Sequence, residues 1–115
     1  MEINLVKADE DFTHIELTGR VDLQGIGDLD FEFSKQTVTR KKPVLVDLSG
    51  VDFMASIGLR MLVLSTKALN RFGAKLVLLN PQNEVESVLR TSGFDQIMPI
   101  SHDYDEAVGI LTNSG

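Results

Sequence analysis

The sequence predicts an α/β domain on a mixed, mainly parallel sheet, with elements in the order β-β-α-β-α-β-α-β-α. Three observations predict it. Val44, Leu45 and Val46 form a continuous apolar run, the mark of a strand covered on both faces. From residue 43 onward, strands alternate with stretches of helical period, which argues parallel strands joined by right-handed crossovers. Before them, two alternating stretches flank the polar turn Asp9-Glu10-Asp11 and predict an opening hairpin, which makes the sheet mixed.

Taken in order, Ile3, Leu5 and Lys7 alternate with Glu2, Asn4 and Val6 as a first strand. Thr13, Ile15 and Leu17 alternate with His14, Glu16 and Thr18 as a half-exposed second strand, which Gly19 ends. Asp22 is positioned to cap a first helix reaching about Thr39, with Ile26, Leu29, Phe33 and Val38 as its buried face. Gly25 and Gly27 weaken its start, each costing about 1 kcal/mol against alanine inside a helix. A third strand is expected from Pro43 to about Leu48, closed by the turn chemistry of Asp47, Ser49 and Gly50. The second helix is expected from about Ser56 to Phe72, with Leu59, Leu62, Val63, Leu69 and Phe72 toward the core and Gly73 as its stop. Lys75 to Asn80 is another buried strand. Asn83 caps a helix through Arg90 that buries Val85, Val88 and Leu89; Gly93 ends it, and Phe94 packs back on its last turn. Ile97 to Ile100 is a short strand. Ser101 or Asp103 caps a final helix with Tyr104, Ala107, Val108 and Leu111 inward.

Length and composition bound the function. The 115 residues are expected to form a single domain, 1–115, with one modest core, and 43% apolar content is normal for a globular protein. The longest apolar run falls far short of the roughly 20 residues that span a bilayer, and the acidic N-terminus has no apolar core of a secretory signal. The chain has no cysteine, which excludes disulfides and thiol catalysis and fits a reducing cytoplasm. A net charge of −6 argues against nucleic-acid binding and favours a basic protein partner. The one basic cluster, Arg40-Lys41-Lys42, precedes the buried strand and reads as a solvated loop. An enzyme has little support. His14 and His102 have no metal-ligand spacing and no drawable triad. No phosphate-cradling glycine motif is present, and no cofactor is indicated. Asp47 and Asp52 lack the further acids and the lysine of a phospho-aspartate receiver.

The stretch from Val44 to Leu64 carries the functional signal. Ser56 stands where the second helix begins, exposed at its positive end beside unpaired backbone N–H groups, where a phosphate would be well placed. The plain alternative is an N-cap that accepts a hydrogen bond from the first turn, worth about 1 kcal/mol. Met54, Ile57 and Arg60 flank the serine. Exposed, they would form a partner-binding patch; otherwise Met54 and Ile57 pack in the core, and Arg60 is solvated or bonds a phosphate. Asp52 is either a charge near the serine or a surface turn residue.

These residues resemble the STAS domain, of the bacterial anti-sigma factor antagonist type. The family pattern is an apolar strand ending in Asp-x-Ser, supplied by Asp47 and Ser49, then Phe-Met/Ile-Asp-Ser-Ser/Thr/Ala-Gly-Leu, supplied by Phe53 to Leu59. Leu17 to Asp22 is similar to its early Leu-Thr-Gly-x-Leu-Asp, Leu76 to Pro81 to its fourth strand, and Leu89 to Phe94 to its late Leu-x-x-Ser-Gly-Leu/Phe. The resemblance implies a STAS-like fold over nearly the whole chain. It implies a cytoplasmic, non-enzymatic transcription regulator that works by partner switching. Unphosphorylated, it would bind an anti-sigma factor that is also a serine kinase and so free a sigma factor. Phosphorylation of Ser56 would switch it off, and a serine phosphatase would reverse the change. The implied partner surface is Asp22, Met54, Ala55, Ser56, Ile57, Gly58 and Arg60. The chain departs from the pattern at Ala55, where the family has aspartate, and at Ile57, where it has a second hydroxyl. Loss of the acid removes a like charge that would repel a phosphate. The other reading that the family implies is a STAS subunit, not phosphorylated, docked in a membrane transport or signalling assembly.

Overall fold

In a computed structural model that describes residues 2–22 and 26–112, the elements follow the expected order. They are β1 (Glu2–Ala8), β2 (Thr13–Val21), α1 (Ile26–Gln36), β3 (Val44–Met54), α2 (Ser56–Asn70), β4 (Leu76–Leu79), α3 (Asn83–Thr91), β5 (Ile100–Ser101) and α4 (Tyr104–Thr112). The five strands form one sheet in the order β1-β2-β3-β4-β5. β1 and β2 pair antiparallel, and every later pair is parallel.

Alternation along the strands sorts the side chains into two layers. Ile15 and Leu17 of β2, Val44, Val46 and Leu48 of β3, and Leu76 and Leu78 of β4 meet Phe33 of α1, Leu59, Leu62 and Leu69 of α2, and Val85 and Leu89 of α3. On the opposite face Phe12, Leu45, Val77 and Leu79 pack against Ala107 and Leu111 of α4. Val44, Leu45 and Val46 are therefore fully buried in turn, Val44 and Val46 against one layer and Leu45 against the other, as their unbroken apolar run predicts.

Two strands outrun their expected ends. β2 passes Gly19 to Val21, and β3 passes Ser49 and Gly50 to Met54. The two continue as a parallel pair, Thr18 opposite Gly50 and Val21 opposite Met54, through register irregularities at Glu16/Thr18 and Gly19/Arg20. Gly19 takes φ 91 at the second irregularity. A Cβ on Gly50 would lie 2.8 Å from Thr18 Cγ2, so this glycine permits close strand approach instead of making a turn. The ladder to β2 overrides the turn chemistry that the sequence shows.

Other boundaries shift for local reasons. α1 stops at Gln36, and Val38 lies in the 3-10 turn Val38–Arg40 with its side chain half-buried against the core. The expected cap at Asp22, the weak start at Gly25 and Gly27 and the inward positions of Ile26 and Leu29 depend on residues or side chains outside those described. α2 ends at Asn70, and Phe72 is exposed with the Lys41 ammonium 5.0 Å from its ring centre. Val88, Ile97 and Tyr104 are also exposed, and β5 starts only at Ile100. The N-cap of α3 is Gln82, not Asn83, and its Nε2 donates to the Ser49 carbonyl at 2.8 Å. Asp103 does cap α4, accepting the Glu106 N–H at 3.0 Å.

The Asp9 turn is tied down from both sides. Its carboxylate accepts the N–H groups of Asp11 at 2.8 Å and Phe12 at 3.1 Å. Those bonds, with Lys7 beside them, hold its pKa at about 2. Arg40 donates to the Asp9 carbonyl and Lys42 to the Glu10 carbonyl, at 3.0 and 2.9 Å. The basic cluster thus anchors the opening hairpin, where a solvated loop was expected.

Candidate functional site

The extension of β3 decides where α2 begins. Strand and helix are separated by one residue, Ala55, in an extended conformation with φ −76 and ψ 165. Its N–H donates to the Val21 carbonyl at 2.8 Å, and its own carbonyl accepts the N–H groups of Gly58 at 2.9 Å and Leu59 at 3.2 Å. Ala55 is therefore the N-cap, and Ser56 is the first helical residue. The helix thus starts at Ser56 as the sequence predicts, and the plain alternative, that Ser56 is the N-cap, does not hold. The cap position falls on a side chain without an oxygen, no acid stands in the first turn, and the positive end of α2 stays open. Ser56 is exposed, and among the described residues its hydroxyl has no hydrogen bond.

Beneath the serine the packing is tight. Met54 and Gly58 are buried, so these two expected partner contacts hold the site from below. A Cβ on Gly58 would fall 2.4 Å from Val21 Cγ1 and 3.1 Å from Met54 Cγ. Alanine normally favours a helix over glycine by about 1 kcal/mol. Here Gly58→Ala is expected to destabilise the protein by about 1–3 kcal/mol, because the helix must lift from the sheet. A urea midpoint unchanged or raised by this substitution would contradict the close approach.

Ala55 and Ile57 are half-buried, Ile57 against the core, while Ser56 and Arg60 are exposed. Asp22 is half-buried at the end of β2, one residue past the carbonyl that anchors Ala55, with an Oδ2 3.7 Å from Arg20 Nε. The Arg20 guanidinium lies 4.2 Å from the ring centre of Phe53, which is exposed beside Asp52. The expected set thus converges on the start of α2, as a surface of Asp22, Ala55, Ser56, Ile57 and Arg60 over Met54 and Gly58.

Sequence reasoning missed part of this surface. A groove of about 440 Å³ opens from Ser56 along α2, with Arg60, Leu64 and Lys67 on one wall and Val88 and Phe94 on the other. The spacing of Ser56, Arg60, Leu64 and Lys67 places them on one helix face, a signal present in the sequence. A second hollow of about 160 Å³, lined by Asp52, Phe53, Met54, Glu84, Val85 and Val88, adjoins it at Val88.

The histidines lie apart from this surface. His14 packs on Tyr104 of α4, across the sheet from α2, with the two rings 5.7 Å apart, and among the described residues its buried Nε2 has no partner. Burial lowers its pKa. His102 Nε2 is 2.6 Å from Glu86, whose pKa is lowered first by Arg90 and then by His102. Among the described residues no group of three or more acids and histidines is placed to hold a metal, and no helix is long and apolar enough to cross a membrane.

The missing cap gives a direct check. Ala55→Asp places a carboxylate where it accepts a first-turn N–H, so it is expected to stabilise the fold by about 1 kcal/mol. The thermal midpoint should rise by about 4 °C or more. An unchanged midpoint would remove Ala55 from the cap position.

The STAS domain family model matches residues 3–107. BtrV, a candidate anti-sigma factor antagonist of Bordetella bronchiseptica, is 31% identical over 91 residues, covering 79% of this chain and 78% of that protein. Among solved structures, a candidate anti-sigma factor antagonist of Thermotoga maritima superposes with a TM-score of 0.84 at 20% identity, over 93% of this chain and 92% of that one. The anti-sigma factor antagonist SpoIIAA in its unphosphorylated form superposes with a TM-score of 0.75 at 19% identity, over 95% of each chain. The phosphorylated form of Bacillus SpoIIAA gives 0.71 at 19% identity, over 95% of this chain and 98% of that one. At such identities the structural likeness establishes the fold.

Proposed function

We propose, on the premise that the chain belongs to the STAS domain family, that it is an anti-sigma factor antagonist controlled by phosphorylation of Ser56. The observation that carries this reading is the exposed, unbonded hydroxyl of Ser56 at the open positive end of α2. Unphosphorylated and in the cytoplasm, the surface at the start of α2 binds an anti-sigma factor that is also a serine kinase, and a sigma factor is released. In the reverse step Ser56 Oγ bonds to the γ-phosphorus of ATP, the bond from that phosphorus to ADP breaks, and the hydroxyl proton passes to a base of the kinase. A phosphatase returns the serine by hydrolysis.

Local chemistry supports a switch that needs no refolding. A phosphate on Ser56 lies over N–H groups that no side chain caps and one helical turn before Arg60, a spacing at which phosphate and guanidinium meet. No carboxylate at position 55 opposes it. The same alanine, with Ile57, is what a second reading would rest on: a fixed STAS subunit that docks in a transport or signalling assembly through this helix and has lost its kinase.

Mass spectrometry of the Ser56 peptide from native cells in several growth states decides between them. A phosphate that rises and falls with condition is the expected result. A well-detected peptide unmodified in every state would overturn the switch and leave the docked subunit.

A further inference from the structure

The groove between α2 and α3 has Leu59, Val63 and Phe94 among its lining residues. Leu64 is 54% and Val88 45% exposed, and they face it from opposite walls. Two neighbouring exposed side chains of this size on packed helices mark a contact surface better than scattered singles do. The charge of the groove is the informative part. The chain carries −6 overall, yet this wall presents two cations, Arg60 and Lys67, one on each side of Leu64. Among the described residues neither makes a hydrogen bond or an ion pair. Three other arginines are engaged: Arg90 with Glu86 and Asp95, Arg20 with Asp22, Arg40 with the Asp9 carbonyl; Arg71, at the far end of α2, is not, among the described residues. Among the described residues no acid lines the groove; Asp52 and Glu84 line the adjoining hollow, which shares Val88 with it.

We infer that this groove receives an acidic helical segment of a partner protein, anchored by one apolar side chain between Leu64 and Val88. The inference rests on the reading of the chain as a partner-binding module and specifies the chemistry of the segment bound. Arg60 and Lys67 stand seven residues apart, about 10 Å along the axis of α2. A helix laid beside α2 repeats that rise, so carboxylates seven residues apart on the segment meet both cations, with the apolar anchor midway between them. A basic partner, which the net charge alone favours, meets like charge along this wall.

The test uses the full chain, isotope-labelled, with the methyl signals of Val63, Leu64 and Val88 followed by NMR. The probes are two lactam-bridged helical peptides of equal length, each with a leucine as anchor. One carries glutamate at two positions seven apart, and the other lysine at both. The glutamate peptide is expected to bind about tenfold more tightly at low salt, as two exposed ion pairs allow. Added salt should shrink the difference, and the double substitution Arg60→Glu with Lys67→Glu should reverse it. Equal affinity for the two peptides, no shift with either at millimolar concentration, or shifts that map away from the groove would overturn the proposal. Concentration-dependent broadening of Leu64 and Val88 without peptide would instead assign the groove to a second copy of the chain and overturn the proposal. Neither kinase nor phosphate enters the measurement. A phosphate never found on Ser56 leaves this result standing, and indifference to peptide charge leaves the switch standing.

Discussion

Phosphorylated at Ser56, the protein is expected to bind its anti-sigma factor about a hundredfold more weakly than the unmodified chain, a change of about 2.7 kcal/mol. A phosphoserine brings about −1.5 to −2 charges and three acceptor oxygens to a position that is exposed now. A partner seated over the start of α2 must desolvate that charge or yield contact area. Arg60, one turn on, is drawn back toward the phosphate and is then less available to the partner. Ser56→Asp should act in the same direction with a smaller effect, because it brings one charge and no bulk of that size. Ser56→Ala should bind like the unmodified protein, since the hydroxyl makes no bond whose loss would reshape the helix start. Calorimetry with the purified anti-sigma factor reads all four forms. Phosphoprotein and Ser56→Asp both within twofold of the unmodified chain would end the switch reading.

Leu62→Ala is expected to cost about 2–5 kcal/mol, the range for emptying a buried leucine site. Leu62 is fully buried midway along α2, among side chains from the sheet and the other helices of its layer. With a shift of about 4–8 °C per kcal/mol for a domain of this size, the thermal midpoint should fall by about 10 °C or more. Leu64→Ala, two residues on, removes the same atoms from the opposite face, and its effect on stability should stay within about 0.5 kcal/mol. Melts of the two variants are the control for each other. Equal losses would mean that α2 is rotated about its axis from the placement described.

The sequence reveals elements wherever side-chain period does the deciding. The start of β2, β4 and the centre of α2 stand close to where alternation and the i, i+3, i+4 pattern put them. It misleads where one residue type serves two purposes. Gly19, Ser49 and Gly50 look like punctuation, yet they lie inside strands, because a glycine that lets two strands approach and a glycine that turns a chain are the same letter. The partner strand alone distinguishes them. Val88 shows a second kind of ambiguity. It neighbours Leu89 and is equally apolar, but it lies about 100° around the helix and faces the groove. Ser56 stands at the helix start that the sequence predicts, and only its alternative reading as the cap fails, because the length of β3 puts Ala55 there. Leu64 was hidden among other leucines of α2, since hydropathy does not say which apolar residue lacks a neighbour.

α2 divides its labour by face. Gly58, Leu59, Leu62 and Leu69 secure the helix to the sheet, while Ser56, Arg60, Leu64 and Lys67 are exposed. The two sets share a backbone but not an environment. On the reading proposed above, substitutions in the outward set rewrite partner choice and leave fold stability as it is. A cell that keeps several such proteins can insulate their circuits from crosstalk by changing a handful of letters on one helix. The same property makes this helix a ready scaffold for orthogonal pairs, in which partner and antagonist are re-matched together while everything beneath them stays as it is.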